Sequence, residues 1–496
     1  MGEVGMDYIK GMDRHQTIML PDCVDDYVDE NNPVRVIDAY VHSLDIAAMG
    51  FTRSQLNNTG RPPYFSKDLL KLYLYGYMNR IRSSRRLETE SKRNLEVIWL
   101  LGNLSPDHKT IARFRQENPA ALKNVFRDFV RLCVKLGLYG KELLAIDGSK
   151  FKACNSKDRA FTEKKLSERI ARLDSKIEEY VRKLEKLDFE ENRVESDKTS
   201  EEITRIIVGL AERKSDYEGY AREIQESGDT QIALTDPDSR LMMANGKIDA
   251  CYNIQAAVDS KNKMIVEFDV GNNAQDKNQM GPMSEKAADV LGDKNFAVVV
   301  DAGYDSATDI ARCLLNGITP HVAGTNITIC LPTDEAHAEL PKPQENGRCV
   351  YLKDRNLAIC PMGNFLYPGT YHKRKSVAMF YNTKACVACP CKCTTCRFKR
   401  FEIIMSPSEF SREYNDKGLS VKQVEVIADR DLVNQRKCIV EHPFGTIKRT
   451  MDAGYMLTKG KQSVSGELAL TFLAYNLKRA INILGTKRVI NAISTC

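Results

Sequence analysis

Hydrophobic residues recur every three or four positions in residues 67–81 and again in residues 84–101. This spacing predicts two amphipathic helices. A third helix is predicted to begin at Ser105-Pro106, with the serine as its N-cap and the proline in its first position. Short helices joined by a tight turn are typical of a helix-turn-helix arrangement, but an ordinary helical bundle has the same pattern.

The third predicted helix carries bases on one side. Lys109, Arg113 and Arg115 are expected near its exposed side, and Ile111 and Phe114 are expected to point inward. In a helix-turn-helix the last helix lies in the major groove, where such bases contact DNA. In a plain bundle they are only solvated, and the pattern leaves both interpretations open.

A strand and two long helices are predicted next. Residues 143–146 form an apolar run that ends in Asp147, which predicts a buried strand whose last residue emerges into a site. Residues 166–187 and 203–224 each show the apolar seam of a coiled coil. We predict an antiparallel hairpin, because the second helix is close at hand in the same chain. An intermolecular coiled coil is the alternative.

Strand patterns return after residue 246 and predict a mixed α/β layer. Two apolar runs on either side of residues 260–263 predict a β-hairpin, and residues 296–301 predict a buried strand that ends in Asp301. Residues 324–429 are polar and rich in turns and cysteines, which predicts an insertion. The remaining predicted elements are a strand at 318–323 and helices at 283–291, 307–315, 431–451 and 466–484.

Charge is distributed unevenly along the chain. The net charge of the 496 residues is only +6, yet residues 61–150 contain eighteen bases and nine acids, with Arg85 and Arg86 among the bases. Residues 371–400 contain eight bases and no acid, whereas residues 1–60 contain four bases and ten acids. Basic patches of this size favour a polyanionic partner such as nucleic acid.

Membrane and secreted proteins are disfavoured by the sequence. It has no run of about 18 apolar residues, and its first residues are polar and acidic where a signal peptide is basic and then apolar. We therefore expect a cytoplasmic, nucleoid-associated protein with no membrane partner. Most of its fifteen cysteines should be reduced thiols, so a tight cluster of them is a metal candidate.

Two aspartates are predicted at the carboxyl ends of separate strands, where open α/β sheets bind their ligands. Asp147 and Asp301 would supply the oxygen ligands that Mg²⁺ prefers, and Glu441 is the best candidate for a third acid. Two such ions can activate a water on one side of a phosphodiester and stabilise the leaving oxygen on the other. Each aspartate alone also fits an ordinary turn, so the combination carries the prediction.

Bases flank the candidate glutamate. Lys437 lies four residues before Glu441 and Lys448 seven after it, which places all three on one face of a helix. This arrangement would hold a phosphate backbone against the metal ions. Pro443 conflicts with a continuous helix, so we expect a kink or break there.

The block GRPPYFSKDLLKLYLYGYMNRIRSSRRLETE and the segments AIDGSKFKA, VVVDAGYDS, VEHPFGTIKR and LAYNLKRA resemble successive parts of bacterial insertion-sequence DDE transposases. The resemblance covers nearly the whole chain and implies a ribonuclease H-like fold. It also implies that Asp147, Asp301 and Glu441 are a catalytic triad that binds two Mg²⁺ or Mn²⁺ ions. Lys448 matches a base of the same family.

The chain departs from this family at two points. Many members carry tyrosine and arginine seven and four residues before the glutamate, where this chain has Asn434 and Lys437, with Arg436 adjacent. Lysine holds a phosphate as a point charge and not in a bidentate fork. Some members trap a flipped base with tryptophan while a DNA hairpin forms, but Trp99 is the only tryptophan here. Hairpin formation is therefore left open.

Five cysteines crowd into the segment ACVACPCKCTTCRFKR. Two Cys-x-x-Cys pairs this close together would be cramped around one zinc ion. Cys386 and Cys389, with Cys396 or Cys393 and closed by Cys360, are a more plausible set of zinc ligands. Reduced thiols on a loop are the alternative. In either case the surrounding bases make this insertion an expected DNA-contacting surface.

Together these patterns predict an α/β protein with a mixed sheet, and the resemblance implies that this sheet is ribonuclease H-like. The expected parts are an acidic segment (1–60), a helical, helix-turn-helix-like DNA-binding domain (61–140), a catalytic domain (141–323 and 430–490), a coiled-coil insertion (160–228) and a basic Cys-rich insertion (324–429). The expected function is a transposase that cleaves and joins double-stranded DNA at terminal repeats, as a homodimer when active. A catalytically inactive DNA-binding regulator and a nuclease without strand transfer are the alternatives.

Overall fold

The computed structural model describes residues 23–52, 63–187, 193–244, 246–332, 349–387, 389, 399–418 and 421–495. The first 22 residues of the predicted acidic segment lie outside these ranges, as do Cys393 and Cys396. Among the described residues, no helix has both the length and the apolar character that a membrane crossing requires.

Helices make up the N-terminal part of the chain. They are Pro33–Ser43 (α1), Ser66–Met78 (α2), Ser84–Arg93 (α3), Leu95–Leu101 (α4), His108–Glu117 (α5) and Pro119–Lys135 (α6). The single helix predicted for residues 84–101 is wrong, because Asn94 ends α3 and its side chain accepts a hydrogen bond from the Glu96 amide at the start of α4. The predicted cap at Ser105 is also wrong. Asp107 is the N-cap of α5, because its carboxylate accepts hydrogen bonds from two free backbone amides of the first turn.

A long strand and a pair of long helices follow. The elements are Leu143–Lys152 (β1), Ala160–Thr162 (β2), Glu163–Leu187 (α7), Arg193–Ser227 (α8) and Gln231–Ala233 (β3). The two helices pack antiparallel within one chain: Arg169 donates to the Tyr217 hydroxyl, and Lys214 pairs with Asp174. The prediction that the first strand ends at Asp147 is wrong, since β1 continues to Lys152.

The central sheet has six strands. It is built from β1 with Arg240–Ala244 (β4), Lys247–Asp259 (β5), Ile265–Gly271 (β6), Ala297–Val300 (β7) and Thr319–Val322 (β8). The order is β4-β5-β1-β7-β8, with β6 paired to β5. Strand β1 is antiparallel to β5 and parallel to β7, so the sheet is mixed, and β5 extends β1 beyond Asp147 by pairing along its whole length. Met280–Leu291 (α9) and Ala307–Leu315 (α10) connect these strands.

The predicted insertion contains more regular structure than its polar composition suggests. Its strands are Asn326–Pro332 (β9), Val350–Leu352 (β10), Leu357–Ile359 (β11), Phe365–His372 (β12), Val377–Tyr381 (β13), Phe401–Ile404 (β14) and Val421–Ile427 (β15). Its two short helices are Thr383–Val387 (α11) and Pro407–Phe410 (α12). Strands β10 to β14 form one antiparallel sheet, and β9 pairs with β15. Side chains from neighbouring strands, such as Phe380 and Phe401, are buried in a small separate core, which explains why strands form in a polar segment.

Three helices complete the described chain: Arg430–Gly445 (α13), Lys461–Leu484 (α14) and Thr486–Ser494 (α15). Of the kink or break expected at Pro443, the break is wrong, because α13 runs through the proline, and a π-helical turn, Thr446–Thr450, follows it. Such a widened turn accommodates an irregular hydrogen-bonding pattern without ending the helix. The helix predicted to close the chain is followed by one more, α15.

A buried ion pair joins the N-terminal helices to α14. Arg82 lies 2.5 Å from the Glu467 carboxylate, and both side chains are almost completely buried. The same guanidinium donates to the backbone carbonyls of Asp452 and Tyr455, in the segment between the π turn and α14. The helical part and the sheet therefore share one hydrophobic core.

Candidate active site

Asp147 and Asp301 lie at the same level of two adjacent parallel strands. Ala145 of β1 is opposite Val299 of β7, so the same register continued by two residues brings Asp147 near Asp301, the residue that caps the turn after β7. Side chains two residues apart point to the same face of a strand. Asp301 follows β7 and caps the short 3-10 turn after it, where its side chain accepts from the Gly303 amide.

The Arg436 guanidinium lies between the two aspartates. Its Nη1 is 3.2 Å from Asp147 Oδ1, and its Nη2 is 3.8 Å from Asp301 Oδ2. Arg436 comes from α13, which packs on the sheet through the buried residues Val440 and Phe444. The Arg436 side chain is only 13% exposed, so this cation is held within the site.

Burial raises the pKa of Asp147 to about 6, because the charged carboxylate is partly removed from water. The positive charge of Arg436 lowers this pKa, whereas the negative charges of Asp301 and Asp276 raise it. Strongly shifted pKa values are concentrated at functional sites, so this carboxyl group is a candidate for a functional role.

A hydrogen-bonded layer supports β1 around Gly148. Asp276 Oδ1 accepts from Asn253 Nδ2 at 2.7 Å and from Gln255 Nε2 at 2.6 Å. Gln255 in turn accepts from the hydroxyl of Tyr304, in the turn that Asp301 begins. Asp276 is not among the acids predicted from the sequence, because an acid in a polar turn gives no local signal that distinguishes it from other turn acids.

Lys448 is fixed against β1. Its Nζ donates to Ser149 Oγ and to the Lys150 carbonyl, both at 2.7 Å, and lies 4.5 Å from the centroid of the Phe151 ring. Burial lowers the pKa of Lys448 to about 8, an effect that the negative charge of Asp147 partly opposes. The amine is therefore a partly buried positive charge near Asp147.

The structure does not group Glu441 with the two aspartates. Glu441 is exposed on α13, five residues after Arg436, which is about 140° around the helix. Within the described ranges, no three Asp, Glu, His or Cys side chains are close enough to hold a metal ion. The two aspartates with a cation between them fit a divalent ion in charge and donor chemistry, but they supply only part of its ligands.

Comparison with known families identifies the family to which the chain belongs. A family described as Transposase DDE domain matches residues 227–477, which is just over half of the chain. The chain belongs to the DDE transposase family. A second family, described as Transposase domain (DUF772), matches residues 22–117 of the transposase. Comparisons with curated proteins and with solved structures found no match.

Membership of this family accounts for the mixed α/β layer, since DDE transposases have a ribonuclease H-like fold. Members of the family act on DNA and typically use divalent metal ions. Asp301 and Glu441 lie inside the matched residues 227–477. Asp147 lies before them, separated by the helices α7 and α8.

The transposase presents most of its predicted DNA-contacting bases to solvent. Besides Arg436 and Lys448, which face the aspartates and β1, the exposed ones are Arg85, Arg86, Lys109, Arg113 and Lys437. The prediction that Arg115 lies on the exposed side of α5 is wrong. Arg115 is buried one turn after Ile111, and its Nη1 donates to the Tyr77 hydroxyl at 3.0 Å.

The candidate zinc ligands lie only partly within the described residues. Cys360 is buried in the small core of the insertion, where its Sγ accepts from the Asn364 amide. Cys386 lies in α11 and Cys389 follows it, but Cys396 and its alternative Cys393 lie outside the described ranges. Zinc binding therefore stays a prediction.

Proposed function

We propose that this DDE transposase binds the terminal repeats of an insertion sequence, cleaves phosphodiester bonds there and joins the freed 3′ hydroxyls to target DNA. The observation that carries the proposal is the pair Asp147 and Asp301, level on adjacent strands and bridged by a cation. In a member of this family such a pair is suited to hold divalent metal ions.

Asp147, Asp301 and Glu441 would hold two Mg²⁺ or Mn²⁺ ions. Bound there, the ions supply an activated nucleophile and stabilise the leaving oxygen at phosphorus. Glu441 precedes Lys448 by about two helical turns, and the Lys448 amine contacts β1 two residues beyond Asp147. Because Glu441 is exposed in the metal-free protein, the proposal requires its side chain to turn toward the aspartates when metal and DNA are present.

Bases around the acids would position the DNA. Lys448, held rigidly by Ser149 and the Lys150 carbonyl, is placed to neutralise a phosphate close to Asp147. Lys437 is exposed on the same helix and Arg436 lies beside the aspartates, so both would contact the backbone near the cleavage point. Lysine binds as a point charge and arginine as a fork, and so they are suited to different phosphates.

Recognition of the terminal repeats would fall to the N-terminal helices. Arg85 and Arg86 on α3 and Lys109 and Arg113 on α5 are exposed, and α3 packs against α5, so these bases belong to one part of the surface. The bases of the Cys-rich insertion would add contacts to the backbone that carry no sequence information. Two such ends must be held together for transfer, which implies at least a dimer in the active complex.

A strand-transfer assay separates the proposal from its alternatives. The purified protein is mixed with Mg²⁺, a target plasmid, and DNA that carries the ends flanking its own coding region, either intact or pre-cleaved. Joining supports a transposase, hydrolysis without joining indicates a nuclease, and binding without either reaction indicates a regulator.

Variants then assign the acids. Asp147→Asn, Asp301→Asn and Glu441→Gln should each abolish cleavage with DNA affinity nearly unchanged, and Glu425→Gln, an exposed acid on β15, is the matched control. Cleavage at the normal rate by any one of the first three variants would remove that residue from the proposed triad.

A further inference from the structure

The Arg436 guanidinium makes poor hydrogen bonds for a buried group of its kind. Its Nη1 is buried and has no hydrogen-bond partner, although Asp147 Oδ1 lies 3.2 Å away. Its Nη2 is 3.8 Å from Asp301 Oδ2, beyond the length of a hydrogen bond. An arginine selected to pair with carboxylates is expected to make two short, parallel hydrogen bonds. The contact is thus mainly one of charge.

We propose that Arg436 is a stand-in cation, a positioning residue that bridges Asp147 and Asp301 in the metal-free protein and withdraws when a divalent ion binds. The proposal rests on the proposed function, because it takes the two aspartates as metal ligands. It adds a competition between a residue of this chain and the ion, with a consequence for the order of binding.

The charges of the site require such a cation. One guanidinium lies 3.2 Å from the Asp147 carboxylate and 3.8 Å from the Asp301 carboxylate, so the two negative charges are close enough to repel each other. One positive group near both carboxylates relieves the repulsion and keeps the two aspartates in place. A divalent ion between the same oxygens would lie a few ångströms from the guanidinium, and their repulsion would drive Arg436 out.

Displacement of Arg436 couples metal binding to DNA binding. A guanidinium that leaves the aspartates needs a new anionic partner, and a DNA phosphate provides one. The metal ion then binds weakly without DNA and more tightly with it. By reciprocity, the metal ion strengthens DNA binding by the same factor.

Metal affinity in the absence of DNA tests the proposal. Binding of Mn²⁺ is measured by isothermal titration calorimetry at pH 8, in 0.1 M and in 0.5 M salt, for the wild type and for variants of Arg436. We expect Arg436→Gln to bind Mn²⁺ about tenfold more tightly at both salt concentrations. Arg436→Lys should also bind several-fold more tightly, since one ammonium group cannot bridge both carboxylates as a guanidinium does.

The neighbouring Lys437 provides the matched control. It is exposed, so its charge acts on the site only through solvent and is screened by salt. Lys437→Gln should change the Mn²⁺ affinity less than twofold in 0.1 M salt and not at all in 0.5 M salt. An equal gain for Arg436→Gln and Lys437→Gln would show a general charge effect and overturn the proposal, as would wild-type affinity in Arg436→Lys.

Asp147→Asn distinguishes a failure of the proposed metal site from a failure of the stand-in role of Arg436. If this variant loses Mn²⁺ binding while Arg436→Gln binds as the wild type does, the stand-in role is wrong and the proposed metal site stands. If Asp147→Asn binds Mn²⁺ normally, the proposed metal site and the stand-in role both fail. Circular dichroism of each metal-free variant checks that it is folded, and Arg436→Lys serves as the milder variant if Arg436→Gln is not.

Discussion

Replacing Gly148 with alanine should disturb the layer of side chains that supports Asp147. A Cβ built on Gly148 would come closer than 3.0 Å to Asp276 Oδ1. It would also lie 2.5 Å from Gln255 Nε2 and 2.9 Å from Asn253 Oδ1. Contacts of this length force the neighbours to move. All three atoms belong to side chains that are tied to one another, so the strain cannot be relieved by one free rotation.

The expected cost follows from the hydrogen bonds that must be given up. Asn253 and Gln255 are buried and both donate to Asp276 Oδ1. A hydrogen bond to a charged group contributes about 1.5–3 kcal/mol, and overpacking alone costs about 1–3 kcal/mol. If the side chains move away, overpacking is relieved but hydrogen bonds to Asp276 are lost, so the two costs do not add in full. We therefore expect Gly148→Ala to lower the local unfolding free energy of β1 and β5 by about 3 kcal/mol.

Native-state hydrogen exchange of peptides from β1 and β5 measures this loss where it occurs. Gly209 is the control, because it lies in α8 with no atom within 4 Å of an added Cβ. Gly209→Ala should stabilise its helix by about 0.5–1 kcal/mol. If Gly148→Ala changes the local unfolding free energy of β1 and β5 by less than about 0.5 kcal/mol, the hydrogen-bonded side chains around Gly148 do not support Asp147 as described.

Three other predictions follow from the described contacts. In the metal-free protein, burial raises the pKa of Asp147 to about 6, whereas this pKa has its ordinary value of 3.8 in the unfolded chain. The folded state therefore binds the proton more tightly, and the free energy of unfolding should fall as pH rises from about 4 to about 6. Asp147→Asn should flatten that part of a urea-denaturation pH series, and an unchanged slope would contradict the pKa shift. Arg82→Met leaves Glu467 buried without its cation and should destabilise the protein by about 3 kcal/mol or more in urea denaturation, with a smaller loss for Arg82→Lys. Arg85→Ala with Arg86→Ala should weaken DNA binding and reduce its salt dependence by about two phosphate contacts, whereas an unchanged salt slope in filter-binding assays would place the DNA elsewhere.

Local patterns were enough to predict the main elements of the catalytic sheet. The apolar runs before Asp147 and Asp301 predicted two strands, and the structure has β1 and β7 there, adjacent and parallel. The seams at 166–187 and 203–224 likewise predicted the two helices that pack as α7 and α8. Such features depend on periodicity within one segment, which a sequence displays directly. Boundaries were less predictable, since β1 is lengthened by its partner β5 and not by its own residues.

The candidate site likewise has features that the sequence determined and features that only the tertiary structure decided. Sequence by itself determined that Asp147 and Asp301 each follow an apolar strand segment, because the acid and the run before it are local properties. Only the tertiary structure decided that Arg436 lies between them, that Asp276 supports Gly148 from another loop and that Arg115 is buried. These facts depend on the rotation of a helix against its neighbours and on contacts between residues more than a hundred positions apart, and no periodicity within a single segment encodes either.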